Sequence, residues 1–434
     1  MTADTAVARK ALAAVCDDVR PAGPGLSVSP GSAEEAAAVI RVAAELGLTM
    51  RPRGGGSRLW WGTPADCDLV IDTGRMSGVV EHAAGDLVAR VRAGTRMGDV
   101  AAELAKAGQE IALDVPPDAT VGGVLASGLA GPRRLRYGTP RDLLIGITIV
   151  RADGTVAKSG GKVVKNVAGY DLGKLFAGSA GTLGLITEAT FRLHPLPAAR
   201  AFVTAEYTAA AAACDAVAAA ANSPLTASAV ELSRAQPGGL IRVGVLLEGS
   251  ADGVAARAAR MSGLLGSPPA TATVAAPATS VAASVAATSV AASVAAGRPA
   301  WWPAPLAAGP DQTLVRVSLW VSALGRVLDA VEAAARQAGV RPAVDGSAGA
   351  GLLYLRLAED GPAAQAAFIA RLREAVAGQR GAVTVLTAPH PVRAELAGRG
   401  GMSGPVPGLA LMRSVKDRFD PRHLLAPGQF PDVA

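Results

Sequence analysis

Apolar positions along the chain alternate between a helical and a strand-like period. In SAEEAAAVIRVAAELG, apolar residues recur at helical spacing behind Ser32, with Glu35 three residues on and Gly47 at the end. That combination of capping box and terminal glycine predicts a helix. LTMRP then predicts a short strand running into a glycine loop, and GDLVARVRAG a further strand. TRMGDVAAELAKAG predicts a second helix closing at Gly108. DLLIGITIVRADG predicts a buried strand ending in an Asp-Gly turn, and GLITEATFRLHP a strand stopped at Pro195.

After Pro197 the texture changes. IRVGVLLEG, TLVRVSLWVS, LLYLRLAE and AVTVLTAP read as strands between alanine-rich helical segments, which predicts a second α+β domain. Within it, TSVAASVAA occurs twice in succession from Thr279. A nine-residue repeat advances a helix by two and a half turns, so Val281 and Val285 face opposite Val290 and Val294. The odd repeat also swaps faces in a strand. Residues 267–300 therefore read as a mobile insertion rather than a core element. The expected domains are 1–197, 198–418 and a tail, 419–434, that returns to the first.

Composition narrows the function. The chain has 434 residues, long enough for two or three domains. Hydrophobic residues make up 50%, but many are alanine and only 3% of the chain is aromatic, so hydropathy overstates its greasiness. No run of 18 strongly apolar residues predicts a membrane span, and the first residues lack the order of a secretory signal. A net charge of +6 with signs interspersed suits an anionic ligand and argues little for nucleic acid. Cys16, Cys67 and Cys214 are far apart and odd in number, which fits neither a disulfide framework nor zinc spacing and suits a reducing cytoplasm. His82, His194, His390 and His423 form no local metal motif, so no metal is expected.

Three stretches stand out chemically. RPRGGGSRLWWG, from Arg51, is either a tether or a loop whose glycine amides converge on an anion; its place after a strand favours the loop. VPPDATVGGVLASGLAGP, from Val115, keeps one surface small through Gly122, Gly123, Ala126, Ser127 and Gly128. Such a surface suits either a flat ligand or tight helix packing. RRLRYGTPRD is followed by GGKVVKNVAGYDLGKLFAGSAGTLGLITEATFRLHP, a long polar, glycine-studded run. Its charges suit either a binding loop or a solvated face. Neither Gly161-Lys162 nor Gly173-Lys174 is followed by Ser or Thr, and no G-x-G-x-x-G lies in a strand-turn-helix context. A P-loop or Rossmann site is disfavoured.

Together these stretches resemble the flavin-binding domain of the vanillyl-alcohol-oxidase and PCMH family. The correspondence runs through Arg53, Gly54, Gly55, Gly56 and Ser57; through Pro117, Thr120, Gly122 and Gly123, continued by Ser127 and Gly128; and through Gly181, Thr182, Gly184, Ile186 and Thr187. The resemblance implies an α+β fold, a two-subdomain FAD domain followed by an α+β cap. It also implies that these residues, with Tyr137 and Asp142, line FAD, the glycine loop holding its pyrophosphate. The run containing Lys162, Lys165, Asn166, Gly169, Tyr170 and Asp171 resembles the FAD-binding E-type subunit of bacterial glycolate oxidase. FDPRHLLAPGQF resembles that family's closing segment, with Ala426 where many relatives carry Asn. The glycine loop contains neither histidine nor cysteine, so non-covalent FAD is expected.

Oxidising a 2-hydroxy acid needs a carboxylate clamp, a base and a hydride acceptor. Arg242, Arg316 and Arg356 each sit within a strand of the second domain, where an arginine either meets substrate or faces solvent. His390 and His194 are the weak candidates for a base. Self-sufficient relatives tend to carry a histidine-rich cap site, which this cap lacks. The resemblance thus implies a subunit working with a D-type flavoprotein and an iron–sulfur subunit, oxidising glycolate to glyoxylate, with D-lactate as the further substrate. It would be cytoplasmic, reaching the inner face of the membrane only through those partners. A self-sufficient FAD oxidoreductase and a non-catalytic assembly subunit are the alternatives.

Overall fold

The computed structural model describes residues 3–59, 61–62, 66–162, 170–266, 293–295, 297–303, 309, 311–357, 360–379 and 381–429. Trp60, Lys165, Asn166, Gly169 and residues 267–292 of the repeat segment lie outside them. Two compact units form, one from Met1–Ala130, Gly138–Leu196 and Val406–Ala434, the other from Gly131–Tyr137 and Pro197–Pro405.

The first unit opens with helix α1 (Ala3–Ala13) and the hairpin β1 (Val19–Ala22) and β2 (Gly25–Val28). The helix behind Ser32 is α2 (Ala33–Glu45). The Glu35 amide donates to the Ser32 hydroxyl at 3.1 Å, while the Glu35 carboxylate accepts from Gly31, one residue before the cap, at 2.8 Å. Strands β3 (Met50–Arg53) and β4 (Leu69–Asp72) run parallel to β2, giving the order β1-β2-β4-β3. Ala36, Val39, Ile40 and Ala43 of α2 pack on this sheet with Met50, Leu69 and Ile71.

Next come β5 (Val79–Ala83), β6 (Val88–Arg92), α3 (Met97–Ala105), β7 (Gln109–Glu110) and α4 (Val121–Ser127). Helix α5 (Arg134–Tyr137) belongs to the second unit. Then follow α6 (Pro140–Leu143), β8 (Leu144–Val150), β9 (Val156–Gly160), β10 (Leu185–Arg192) and β11 (His194–Pro195). An antiparallel sheet of order β5-β6-β10-β8-β9 results. One face carries Val91, Ile147, Ile149, Ala189 and Phe191 into a core with α3 and α4. The other face carries Arg92, Glu188, Thr148 and Lys158, while at one end of it Val150 and Leu185 join the core beneath α2.

The second unit contains β12 (Ala199–Tyr207), α7 (Ala210–Ala221), β13 (Ala229–Arg234), β14 (Ile241–Gly249), α8 (Ala251–Leu264), β15 (Ser293–Ala295) and β16 (Thr313–Ser318). It continues with α9 (Leu324–Ala338), β17 (Ala343–Gly346), β18 (Leu352–Leu357), α10 (Pro362–Ala377), β19 (Ala382–Thr387) and α11 (His390–Ala397). All eight strands join one antiparallel sheet, β15-β12-β14-β13-β17-β18-β16-β19. Alternate residues such as Val203, Val243, Val245, Val315 and Val317 face a core shared with the helices. Residues 293–295 correct the reading of 267–300 as lying wholly outside the core. They pair with β12, and Val294 packs against the core. The nine-residue repeat denies the segment a long apolar stripe, but a three-residue edge strand needs only one inward valine.

The chain returns to the first unit with α12 (Leu409–Phe419). Lys416 and Asp420 are both fully buried, and the Lys416 ammonium lies 2.6 Å from the Asp420 carboxylate. It also donates to the Thr182 and Leu425 carbonyls at 2.9 and 3.0 Å. Asp420 in turn accepts from the Leu424 and Leu425 amides. Burial pushes the lysine pKa down and Asp420 pulls it back up. The tail then bonds to β3, Leu424 accepting from the Met50 amide and Ala426 donating to the Met50 carbonyl, both at 2.7 Å.

Removing one member of a buried pair strands the other charge, at a cost of about 3–5 kcal/mol. Lys416→Met should therefore lower the thermal midpoint strongly and expose the tail to protease. Adding Asp420→Asn should recover part of the loss. A Lys416→Met protein as stable and protease-resistant as wild type would contradict the role given to this pair.

Candidate functional site

The three ligand-like stretches converge within the first unit. A Cβ on Gly54 would lie 2.1 Å from the Thr120 hydroxyl, and one on Gly55 would lie 3.1 Å from the Asp118 carbonyl. A Cβ on Gly181 would meet the Pro52 ring at 3.3 Å. The Gly178 and Ala180 amides donate to Leu125 and Ala126 at 2.8 and 2.7 Å, closing the C-terminal end of α4. The tail joins them, since Gln429 donates to the Leu59 carbonyl at 3.0 Å. A Cβ on Gly62 would sit 2.5 Å from the Gln429 carbonyl.

The main-chain donors are unevenly satisfied. Among the described residues, the Gly54, Gly55, Gly56 and Ser57 amides have no acceptor, and neither does the amide of buried Gly181. An unpaired amide is rare at a buried residue such as Gly181. Gly55 and Ser57 are exposed and Gly54 and Gly56 half-buried, so the loop amides face open space, and a run of them in a glycine loop suits an anion. Gly56 needs its left-handed conformation, φ +74°, to carry the chain round. In α4, by contrast, the amides of Val121, Gly122 and Gly123 are taken by Thr95, Ala93 and the Thr120 hydroxyl. Gly122 is small because a Cβ there would lie 3.0 Å from that of Ala93. Ser127 donates to the Gly123 carbonyl, and Gly128 is the left-handed cap, φ +63°. Small residues thus serve close packing in this helix.

Other expected residues have local duties. The Arg53 guanidinium grips Asp72 at 2.7 and 2.9 Å, tying the exits of β3 and β4. Ser57 accepts from Arg58 at 2.9 Å, and Arg58 lies over the Trp61 ring. The Pro117 carbonyl accepts from Gly98, Gly184 packs on β8, and Ile186 is core. Asp142 accepts from the Thr139 amide and hydroxyl, both at 2.7 Å. Burial raises its pKa, but the Thr139 bonds and then Arg141 and Lys174 outweigh it, leaving it below the usual value. Tyr137 lies in the second unit beneath the Arg133 and Arg136 guanidinium groups. Burial, then Glu248, raises its pKa.

The arginine candidates separate by strand register. Arg242 faces Glu206 across β12 and β14 and pairs with it at 2.7 Å. Arg356 is paired with Asp345, which also accepts from Ser233 at 2.7 Å. Arg316, opposite Tyr354 on β18, is exposed by surface area and has no hydrogen-bond or ion-pair partner among the described residues, yet surrounding protein lowers its pKa through desolvation, which Tyr354 opposes and Arg134 reinforces. His390 is exposed at the first turn of α11, and His194 lies in the two-residue strand β11. Lys416, Asp420 and Gln429 emerge only in the structure, although the i, i+4 spacing of the first two is visible in the sequence.

Comparison with known proteins decides the family. An FAD binding domain matches residues 24–160, and the C-terminal domain of FAD linked oxidases matches residues 196–430, more than half the chain. The chain belongs to the FAD-linked oxidases. Glycolate oxidase subunit GlcD of Bacillus subtilis is 35% identical over 42% of this chain and 40% of its own length. Glycolate oxidase subunit GlcE of Escherichia coli is 39% identical over 34% of this chain and 43% of its own. D-lactate dehydrogenase of Archaeoglobus fulgidus is 38% identical over 39% and 38%. The chain thus matches about two fifths of the length of these curated relatives. The structure of p-cresol methylhydroxylase with substrate bound superposes with a TM-score of 0.72 at 15% identity, covering 99% of this chain and 97% of that one. The fold is α+β, a PCMH-type FAD-binding domain followed by an FAD-oxidase C-terminal domain. FAD is the family's cofactor, and the free amides at 54–57 and 181 suit its pyrophosphate.

Because the Gly54 Cβ position is filled by the Thr120 hydroxyl, Gly54→Ala should lose most bound flavin, read as the ratio of absorbance near 450 nm to protein. Adding Thr120→Ala clears that atom and should restore part of the flavin. Full occupancy in Gly54→Ala alone would show that the two segments do not need this contact.

Proposed function

We propose that this FAD-linked oxidase is the E-type, FAD-bearing subunit of a complex that oxidises glycolate to glyoxylate, with D-lactate as a second substrate. A D-type flavoprotein and an iron–sulfur subunit would be its partners. The observation that carries the flavin role is the run of free amides at Gly54–Ser57. Support for the substrate class comes from relatives named glycolate oxidase subunits and D-lactate dehydrogenase. The E-type choice rests on the motif run from Lys162 to Asp171 and on a sequence with only four histidines.

Bound non-covalently, FAD would accept the hydride equivalent from the hydroxy-acid carbon. The protein's part is to hold and neutralise. Gly54–Ser57 and Gly181 donate amides to the pyrophosphate, and Arg53 holds Asp72 so that the loop leaves β3 at a fixed angle. Within the second unit, Arg316 is the one of the three strand arginines with no hydrogen-bond or ion-pair partner among the described residues, and it is the candidate to hold a substrate carboxylate. No helix among the described residues is long and apolar enough to cross a membrane, so passage of electrons towards membrane carriers would go through the partners.

The D-lactate dehydrogenase relative favours a second reading, a self-sufficient dehydrogenase. Purification from the native host separates the two. The expected protein is yellow, releases intact FAD on acid precipitation, and reduces dye with glycolate only alongside its partners. Arg316→Ala in that complex should raise the glycolate KM about 10- to 100-fold, the worth of one charged hydrogen bond. Flavin retained on the precipitate, or full glycolate activity in the isolated chain, would overturn the corresponding part of this reading.

A further inference from the structure

The polar face of the five-stranded sheet is left unused by the flavin reading. Register places Arg92, Glu188, Thr148 and Lys158 directly opposite one another on β6, β10, β8 and β9, so their side chains share that face. A cavity of about 180 Å³ lies between this row and the N-terminal turn of α2. None of the glycine loop, Thr120 or residues 178–184 lines it.

The cavity wall is built for a small anion. Thr148 lines it, is only 8% exposed, and its hydroxyl has no hydrogen-bond partner among the described residues. The one side-chain bond at that residue is made to its carbonyl, by the Thr187 hydroxyl at 3.1 Å. A polar residue so nearly buried normally has its side chain paired, and the open space that Thr148 lines is this cavity. Arg92 and Lys158 likewise have no side-chain partner among the described residues. Across from them, Ala33 and Glu34 supply the first two amides of a 13-residue helix, which no intrahelical carbonyl can accept. The positive end of the helix dipole lies there too. Ser32 caps the third amide, that of Glu35. Three cations face two carboxylates in the lining, and one of those carboxylates, Glu188, is already held by Arg90 at 3.3 Å.

We propose that this cavity is a second anion site, separate from the flavin cradle, that takes one small oxyanion: a phosphate or the carboxylate of a small acid. Arg92 and Lys158 supply charge, the Thr148 hydroxyl and the α2 amides supply hydrogen bonds, and Glu34 sets an acidic limit on one side. The volume is below the several hundred Å³ of sites for larger ligands, which excludes a nucleotide.

The test is calorimetric titration of the purified full chain, kept saturated with FAD so that the glycine loop is filled. Inorganic phosphate and acetate are titrated separately at constant ionic strength. Saturable binding of one or both is expected, phosphate alone marking a phosphate site and acetate alone a carboxylate site. Arg92→Gln with Lys158→Gln, both at exposed positions, should weaken it at least about 10-fold, a single charged hydrogen bond's worth. Thr148→Val should weaken it less, with flavin content and thermal midpoint confirming that each variant is folded. No saturable binding by wild type, or equal affinity in the doubly substituted protein, would overturn the proposal.

Discussion

A buried lysine must have its charge and its donors met inside the protein, and the FAD-binding unit is arranged around that requirement. Lys416 reaches Asp420, the Thr182 carbonyl and the Leu425 carbonyl, so α12, the 178–184 loop and the tail are fixed by a single ammonium. Each of those segments then positions another. The 178–184 loop closes α4 and abuts Pro52, and the tail bonds to β3 and to Leu59 in the glycine loop. Phe419 adds apolar support through an edge-on contact with Phe176, ring centres 5.6 Å apart. Segments from both ends of the chain thereby set the conformation of the anion-binding loop.

Much of this was legible where the constraint is local. The Ser32 cap, the strand into Gly54 and the glycine turns depend on backbone conformation that neighbouring residues dictate. The roles of glycines in α4 were not legible, because Gly122 is small on account of Ala93 and Gly128 on account of the helix end, neither of which requires a ligand. The three strand arginines also look alike in one dimension. Pairing across the sheet distinguishes them, giving Arg242 to Glu206 and Arg356 to Asp345 while leaving Arg316 open. Lys416 and Asp420 drew no reading from the sequence, because i, i+4 spacing is shared with ordinary surface pairs and only tertiary packing encloses them. The edge strand at 293–295 was hidden by the low complexity of its surroundings.

Free amides, rather than a wealth of cationic side chains, make the proposed pyrophosphate cradle. Arg53 is spent on Asp72, while Ser57 only accepts from Arg58 and keeps its O–H, so the donors left in the loop are its main-chain amides and the Ser57 hydroxyl. The amides keep their direction without side-chain entropy to lose, which suits a cofactor that stays bound through turnover. The run of glycines has its own reasons: a Cβ at Gly54 would collide with Thr120, one at Gly55 would crowd the Asp118 carbonyl, and Gly56 takes a left-handed φ of +74°.

Hydrogen–deuterium exchange of the apo and FAD-loaded chain reads those amides directly. The account predicts that FAD slows exchange in peptides covering Gly54–Ser57 and Gly181, while α4 amides already bonded within the protein change little. Unchanged exchange across the glycine loop on FAD binding, or protection confined to other segments, would contradict it.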